Sequence, residues 1–399
     1  MSQQLINLST DLKRLRDEGY DIETRGSYLL VKHVPYVNSA KEVKFGTLVS
    51  ELTLTGDVTT RPNNHVAYFA GDYPCNKDGS EMVKIRHQSQ RQELDRDIVV
   101  NHSFSSRPAE GYSDYYHKMA TYVAILSSPA QSIDPTATAK TFPAIETEED
   151  ESVFNYIDTA SSRVEITLVS RKLEMGAVGI IGLGGTGSYV LDLVAKTPVR
   201  EIRLFDGDKF SQHNAFRSPG APSIDDLKKE DKKVVYFKDI YSKMHRNIVA
   251  YDSYVNADNL NQFDGLDFAF LCLDSGEEKR LIVEKMEAIN IPFIDVGMGV
   301  ELVDNALIGI LRVTTSTTKK RDHVRSKNRI AFLEGGIKNE YARNIQIADL
   351  NALNAALAVI KWKKLFGFYK DFEDEYFCAY TIDGNMLTNE DKDETAHNA

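Results

Sequence analysis

Three glycines at a tight spacing, and a train of aspartates and cations behind them, fall in an order that can do phosphate chemistry. Ala177-Val178-Gly179-Ile180-Ile181 reads as a buried strand that runs straight into Gly182-Leu183-Gly184-Gly185-Thr186-Gly187-Ser188 and then into a helical pattern. Gly182, Gly184 and Gly187 fit the G-x-G-x-x-G fingerprint, in which missing Cβ atoms let the backbone approach a phosphate and helix-terminal N–H groups face the anion. On its own this loop implies a nucleotide and favours NAD.

The residues that follow shift the balance. The next strand ends in Asp206-Gly207-Asp208, and Asp206 lies about twenty residues beyond the loop, where a carboxylate accepts ribose hydroxyls in NAD and ATP sites alike. Asn214 and Arg217 then occur within His213-Asn214-Ala215-Phe216-Arg217, and Lys233 opens a helical pattern. Two permanent cations and an amide beyond the strand ends suit a triphosphate, whose charge grows as pyrophosphate leaves. A dinucleotide needs no such clamp. The apolar run Phe268-Ala269-Phe270-Leu271-Cys272-Leu273 delivers Asp274 to the carboxyl edge of a sheet, where open α/β folds bind ligands. A lone carboxylate there could hold magnesium through one oxygen while phosphates and waters complete the octahedron.

The elements that must position these groups alternate strand and helix. Strands are expected at 177–182, 202–205, 267–273 and 293–296, with helices at 187–195, 231–244 and 276–289, an α/β pattern of βαβ units with a mainly parallel sheet and helices on both faces. Leu350, Leu353, Leu357 and Ile360 then recur at helical spacing, as a core or dimer helix. Ahead of this Rossmann-like region, a polar helix over 1–17, short alternating runs at 28–31, 43–45, 65–69 and 98–100, and a helical piece at 115–126 predict a small α+β domain. A stretch from Gln131 to Ser152 rich in Thr, Pro and acids marks the boundary. The domains are expected at 1–145 and 150–387, with 388–399 a disordered acidic tail.

The chain has 399 residues, 42% of them hydrophobic, enough for two cored domains. No N-terminal basic-then-apolar signal and no long apolar run predict a soluble cytoplasmic protein with no membrane contact. A net charge of −11 argues against general nucleic-acid binding. Three cysteines without a C-x-x-C pair argue against both a disulfide framework and a zinc clip.

The ordered set Gly182-x-Gly184-Gly185-x-Gly187-Ser188, Asp206-x-Asp208, Asn214-x-x-Arg217, Lys233 and Asp274 resembles the adenylating superfamily of ThiF, MoeB, HesA and the eukaryotic ubiquitin-activating enzymes, over roughly residues 160–365. The resemblance implies that Asp206 binds the ribose, that Asn214, Arg217 and Lys233 bind the phosphates, and that Asp274 coordinates Mg2+. It also implies the reaction: the C-terminal carboxylate of a ubiquitin-like protein attacks the α-phosphate of ATP, as the first step of a bacterial conjugation pathway that could serve antiviral defence. A homodimer and a conjugating enzyme as partner are implied with it, and Arg163 or Arg171 is the candidate for an arginine reaching into a second protomer.

The sequence departs from the family in two respects. It lacks the two C-x-x-C pairs that hold zinc in many relatives, so no zinc is expected. It also has no cysteine between Thr314 and Ile330, where ubiquitin-type activators usually carry a thioester cysteine. Cys272 reads as core, which leaves Cys378 and Cys75 as weak thioester candidates, the former with Asp374 and Glu375 nearby to suppress its thiolate. The cysteine-free segment instead holds Lys319, Lys320, Arg321, Arg325, Lys327 and Arg329, either a lid over an incoming tail or a solvated loop. The N-terminal domain is similar to one that accompanies bacterial ThiF-like proteins in ubiquitin-like operons, and is expected to recruit the ubiquitin-like protein or the conjugating enzyme. Alternatives are a sulfur-carrier-protein or peptide adenylyltransferase, a non-catalytic nucleotide-binding scaffold, and an NAD-binding protein. The last would want a catalytic His or a Tyr–Lys pair near the loop, and neither is present.

Overall fold

The computed structural model describes residues 2–147, 152–164, 166–274, 276–332 and 345–392. Its chain divides into two compact units, Met1–Thr147 with Ile157–Glu165, and Glu148–Tyr156 with Ile166–Ala399. The chain therefore passes from the first unit to the second, back, and over again, where a single linker was expected.

The first unit holds β1 (Ile22–Arg25), β2 (Tyr28–Val37), β3 (Val43–Glu51), a short hairpin of β4 (Leu54–Thr55) and β5 (Val58–Thr59), then β6 (Val66–Ala70), β7 (Arg86–Asp95) and β8 (Ile98–Ser105). Six of these form an antiparallel sheet in the order β1-β2-β3-β6-β8-β7. The helix Tyr115–Ile133 buries Tyr115, Met119, Tyr122 and Leu126, one face at helical spacing, in a core shared with Leu29, Val31, Phe69 and Phe104. Asp114 caps that helix, accepting from the His117 N–H at 2.7 Å. The expected single helix over 1–17 is two, Ser2–Leu8 and Thr10–Asp17, because Ser9 turns extended and its hydroxyl accepts the Thr59 N–H at 3.0 Å. Strand β7 was not foreseen: Arg-His-Gln-Ser-Gln-Arg-Gln-Glu-Leu-Asp is exposed almost throughout, so no apolar alternation marks it.

The second unit holds β9 (Ala177–Ile181), β10 (Glu201–Phe205), β11 (Ile248–Tyr251), β12 (Leu266–Leu271), β13 (Phe293–Val303), β14 (Ala306–Ser316), β15 (Phe377–Thr381) and β16 (Met386–Glu390) in one sheet of order β11-β10-β9-β12-β13-β14-β15-β16. The first five run parallel and the last three are added antiparallel. This is the expected Rossmann-like α/β architecture, a mostly parallel sheet flanked by helices. Every residue of β9 is buried, as a central parallel strand requires. From β9 the chain builds outward through β10 and β11, then returns to place β12 on the other side of β9. That reversal opens a crevice at the carboxyl ends of β9 and β12, the position where such sheets take ligands.

One expectation fails here and another holds only in part. The first residues of the supposed acidic tail belong to the sheet: Thr388 pairs with Ala379, and Asp391 is buried, accepting from the Arg329 guanidinium at 2.8 Å and from Lys327. Residues 393–399 lie outside the described residues. On the helix Ala348–Leu365, Leu353 and Ile360 face outward, while the buried face carries Asn351, Asn354, Ala355, Ala358, Val359 and Trp362. Small residues face in because this helix packs closely on the helix Gly185–Val194. A Cβ on Gly185 would sit 2.0 Å from the Asn351 amide nitrogen.

Candidate active site

The glycine loop is shaped by what each glycine would otherwise hit. Gly182 has φ +89°, and a Cβ there would lie 2.6 Å from the Cys272 carbonyl oxygen. Gly187 leaves no room at all, since its Cβ would lie 1.8 Å from the Gly182 carbonyl oxygen. These two let β9, the turn and the helix Gly185–Val194 close on one another. Gly184 is different: a Cβ there would meet no protein atom within 4 Å and would project into open space. It caps the helix, whose first-turn N–H groups lack intrahelical acceptors.

That open space is a cleft of about 640 Å³. Gly182, Gly184, Gly185, Asp206, Asp208, Arg217, Lys233 and Asp274 all line it, so residues spread over ninety positions of sequence meet in one cavity. Gly187 and Asn214 do not line it. The Asn214 side chain is spent on local structure, its oxygen accepting the Ser211 N–H at 2.8 Å to cap the helix Gln212–Ala215. Among the described residues, its amide nitrogen is buried without a partner, as is Nε of Arg217, three residues on.

The acids at the end of β10 are held by a fixed network. Asp206 accepts the backbone N–H groups of Leu183 at 2.7 Å and Asp208 at 2.8 Å, which ties the glycine loop to the neighbouring strand. Lys233, buried, donates to Asp208 at 2.7 Å and stands 3.5 Å from Asp206. The hydrogen bonds from Lys233 and then Tyr254 hold the Asp208 carboxyl below the usual carboxylate range. Tyr254 is mostly exposed beside Gly207, where a Cβ would come within 2.8 Å of its ring. Nothing in the sequence pattern singled it out.

The far half of the cleft was not foreseen. Lys279 and Asp295 form a buried pair at 2.6 Å, and burial raises the Asp295 carboxyl despite that partner. Arg312, across the β13–β14 register from Gly297, lays its guanidinium 3.3 Å from where a Gly297 Cβ would be. Asn351 contacts the loop, donating to the Arg217 carbonyl at 3.3 Å and accepting from the Thr186 hydroxyl at 2.9 Å. Asn354 donates to the Gly297 carbonyl at 3.1 Å.

All three thiols are held toward their protonated form. Cys378 lies in β15 away from the cleft, its thiol pushed up to about 11 by burial and then by Glu375. Cys75 is buried in the first unit, raised by desolvation and then by Glu81 and Asp78. Cys272 touches the cleft wall, but desolvation drives its pKa up strongly as well. Thiolate is the reactive form, and each site suppresses it. Most cations of the basic segment are paired, while Lys319, Arg325 and Lys327 remain exposed. Arg325 pairs with Glu287 at 2.7 Å, Lys320 with Asp322 at 3.2 Å, Arg321 donates to the Thr317 and Glu287 carbonyls, and Lys327 and Arg329 grip Asp391. Arg163 stands over the Phe142 ring and Arg171 beside Glu174.

A glycine loop at a topological switch point, with acids and cations converging on one cleft, defines a nucleotide-binding α/β domain. Residues 160–303 match the model of the ThiF family. Residues 10–159 match a domain of unknown function, DUF6791. No curated protein matches the chain. Among solved structures, the chain is similar to E. coli MccB with AMPCPP and MccA (20% identity, 58% of this chain and 67% of that one, TM-score 0.44), to E. coli MccB with ATP (18%, 58% and 67%, 0.41) and to PaaA (18%, 56% and 75%, 0.43). Among the described residues no helix is long and apolar enough to cross a membrane, and no group of three or more His, Cys, Asp or Glu is arranged to hold a metal.

Proposed function

We propose that this protein uses ATP to adenylate the C-terminal carboxylate of a ubiquitin-like protein, with the cleft between β9 and β12 as the active site. The observation that carries this reading is the pairing of an empty phosphate path at Gly184 with unspent cationic donors, the orphaned Nε of Arg217 foremost. Buried polar groups are normally satisfied, and those left over mark where a ligand completes the structure. Asp206 and Asp208 sit at the end of β10 to take the ribose. Arg217 and Lys233 are placed for the phosphates. Asp274 at the end of β12 would hold magnesium, and a single protein carboxylate fits an ion that keeps phosphate and water ligands and supplies charge neutralisation.

The chemistry asks for positioning and charge screening. A carboxylate oxygen bonds to the α-phosphorus, the bond from that phosphorus to the bridging oxygen breaks, and pyrophosphate leaves with the electron pair. Two anions must meet, so fixed cations matter more than an acid or a base. With Cys75 and Cys378 buried and the Cys272 thiol at the cleft wall held protonated by desolvation, the acyl adenylate is passed directly to an acceptor on another protein, and a conjugating enzyme is the partner we propose. We also propose that the first unit recruits one of these proteins, and that the outward Leu353 and Ile360 belong to a homodimer surface.

Pyrophosphate–ATP exchange tests the central claim. With a candidate ubiquitin-like protein carrying a free C-terminus, exchange is expected, and Asp274→Ala should lower it by about 100-fold or more. No exchange with any such protein, together with tight NAD binding, would overturn the reading. Exchange with a short peptide alone would move the substrate class to peptides. A non-reducing gel after ATP treatment should show no reducible adduct on this chain. Cross-linking of the bound ubiquitin-like protein confined to the second unit would remove the recruitment role.

A further inference from the structure

The cleft has two halves of opposite electrostatic character. Around the end of β10 and β12, Asp206, Asp208, Asp274 and Glu278 stand with Arg217 and Lys233. Around β13 and β14 the lining cations are Lys279, Arg312 and Arg329, against the single acid Asp295. Two of those cations are spent: Lys279 on Asp295 at 2.6 Å, and Arg329 on Asp391 at 2.8 Å and Glu390. Arg312 forms no salt bridge among the described residues, although its charge acts on the Lys279-paired Asp295, and its Nε is buried without a hydrogen-bond partner among them. A partly buried guanidinium left in this state carries a desolvation cost that an anionic ligand would repay.

Two acceptors lie with it. Asn354 is fully buried, and its Oδ1 has no partner, nor does Oε1 of Gln346. The Asn354 amide cannot be turned to relieve this, because its nitrogen must face the Gly297 carbonyl at 3.1 Å. A cation aimed at an anion, beside unfilled acceptors that ask for N–H donors, is complementary to one common chemical group: the end of a peptide, a carboxylate preceded by backbone amides. Gly297 keeps the floor flat, since any side chain there would press on the Arg312 guanidinium.

We propose that Arg312, Asn354 and Gln346 form the subsite that holds the carboxyl-terminal tail of the substrate, Arg312 on the reacting carboxylate and the two amides on the N–H groups behind it. This rests on the adenylation reading, and it adds the residues that set the class of acceptor. The cleft then runs from ribose to tail along the strand order β10, β9, β12, β13, β14, with the phosphates over the glycine loop between. Arg312 brings the carboxylate to the α-phosphorus and lessens its repulsion from the phosphates.

The test uses the full chain and two probes: AMP, and acetyl-Gly-Gly-sulfamoyl adenosine, a stable mimic of the acyl adenylate that carries the tail carbonyl and its amides. By titration calorimetry the mimic is expected to bind the wild type at least about tenfold tighter than AMP, because it fills both halves. Arg312→Gln should lose most of that advantage while AMP affinity stays within about twofold, a ratio that also certifies folding of the variant. Arg312→Lys should recover part of it. A mimic no tighter than AMP on the wild type would overturn the subsite while leaving the nucleotide site intact. Equal weakening of both probes by Arg312→Gln would assign Arg312 to the nucleotide and overturn the proposal. Binding of neither probe to the wild type would bring down the adenylation reading itself, and the subsite with it.

Discussion

The two units differ in where they leave buried polarity unsatisfied. In the first, the most deeply desolvated charge, Lys118, is bonded to the Ser50 hydroxyl and the Asn64 carbonyl, both at 2.8 Å, and the Tyr115 and Tyr122 hydroxyls lean on backbone groups of the sheet and its loops. In the second, Asn214, Arg217, Arg312, Gln346 and Asn354 each leave a buried polar atom without a hydrogen-bond partner among the described residues, and four of the five line one cleft. A native core does not carry such a cluster by accident. The contrast separates a unit whose few orphaned polar atoms, on Gln3, Tyr73 and Ser127, sit on separate elements from one in which several orphans line a single cleft, held ready for a ligand.

The sharpest way to break that contrast is inside the glycine loop. Gly187→Ala forces a methyl to within 1.8 Å of the Gly182 carbonyl oxygen, so backbone must move. We expect a loss of about 3 kcal/mol or more in stability, seen by denaturant unfolding. Gly184→Ala, three residues away, meets no protein atom. It should unfold at the wild-type midpoint yet bind ATP about tenfold or more weaker, because the methyl stands in the phosphate path. Normal ATP affinity in Gly184→Ala would mean that the phosphates do not cross this loop.

Next in size is Lys118→Ala, which removes a buried stem and strands two partners in the first unit. The expected cost is about 2–3 kcal/mol, with pyrophosphate exchange per folded molecule unchanged. A fall in exchange at full folding would place the first unit in the chemistry and erase the distinction drawn here.

The division also explains what could be read in the sequence. Gly182 through Gly187, Asp206 and Asp274 each follow directly on an apolar strand, so a local pattern tells both what they are and where the sheet will put them. Arg312 and Asn354 carry no such mark. Arg312 sits mid-strand in β14, and only its register opposite Gly297 brings it to the cleft. Of the Leu350, Leu353, Leu357, Ile360 stripe, Leu350 is buried and Leu357 packs on the core, while Leu353 and Ile360 face outward because close packing on the glycine-loop helix puts Asn351, Ala355 and Ala358 inside. Ala355, Ala358 and Trp362 at helical spacing were the available signal. The extra Gly185 was legible as part of a fingerprint, but its physical reason, the Asn351 amide pressed against it, was not. In the first unit the polar strand β7 escaped notice because it buries almost nothing.

The smallest effect probes the first unit's side of the contrast through pH. Burial lowers the Lys118 ammonium from its ordinary value to about 8. A group depressed on folding costs stability wherever it must be charged in the native state, and that cost is relieved between the folded and unfolded values as pH rises. Wild-type stability should therefore gain on Lys118→Met from about pH 8 upward, by about 1 kcal/mol per pH unit at most, and the difference should flatten again near the ordinary lysine value. Subtracting the variant's profile removes the tyrosines and cysteines that titrate in the same range. Hydrogen exchange along β3 and the helix Tyr115–Ile133, read at pH 8 and pH 9.5, would assign the change to the first unit. A difference profile flat across that window would show that Ser50 and Asn64 hold the ammonium as well as water does, and that the first unit's polar core bears no desolvation strain.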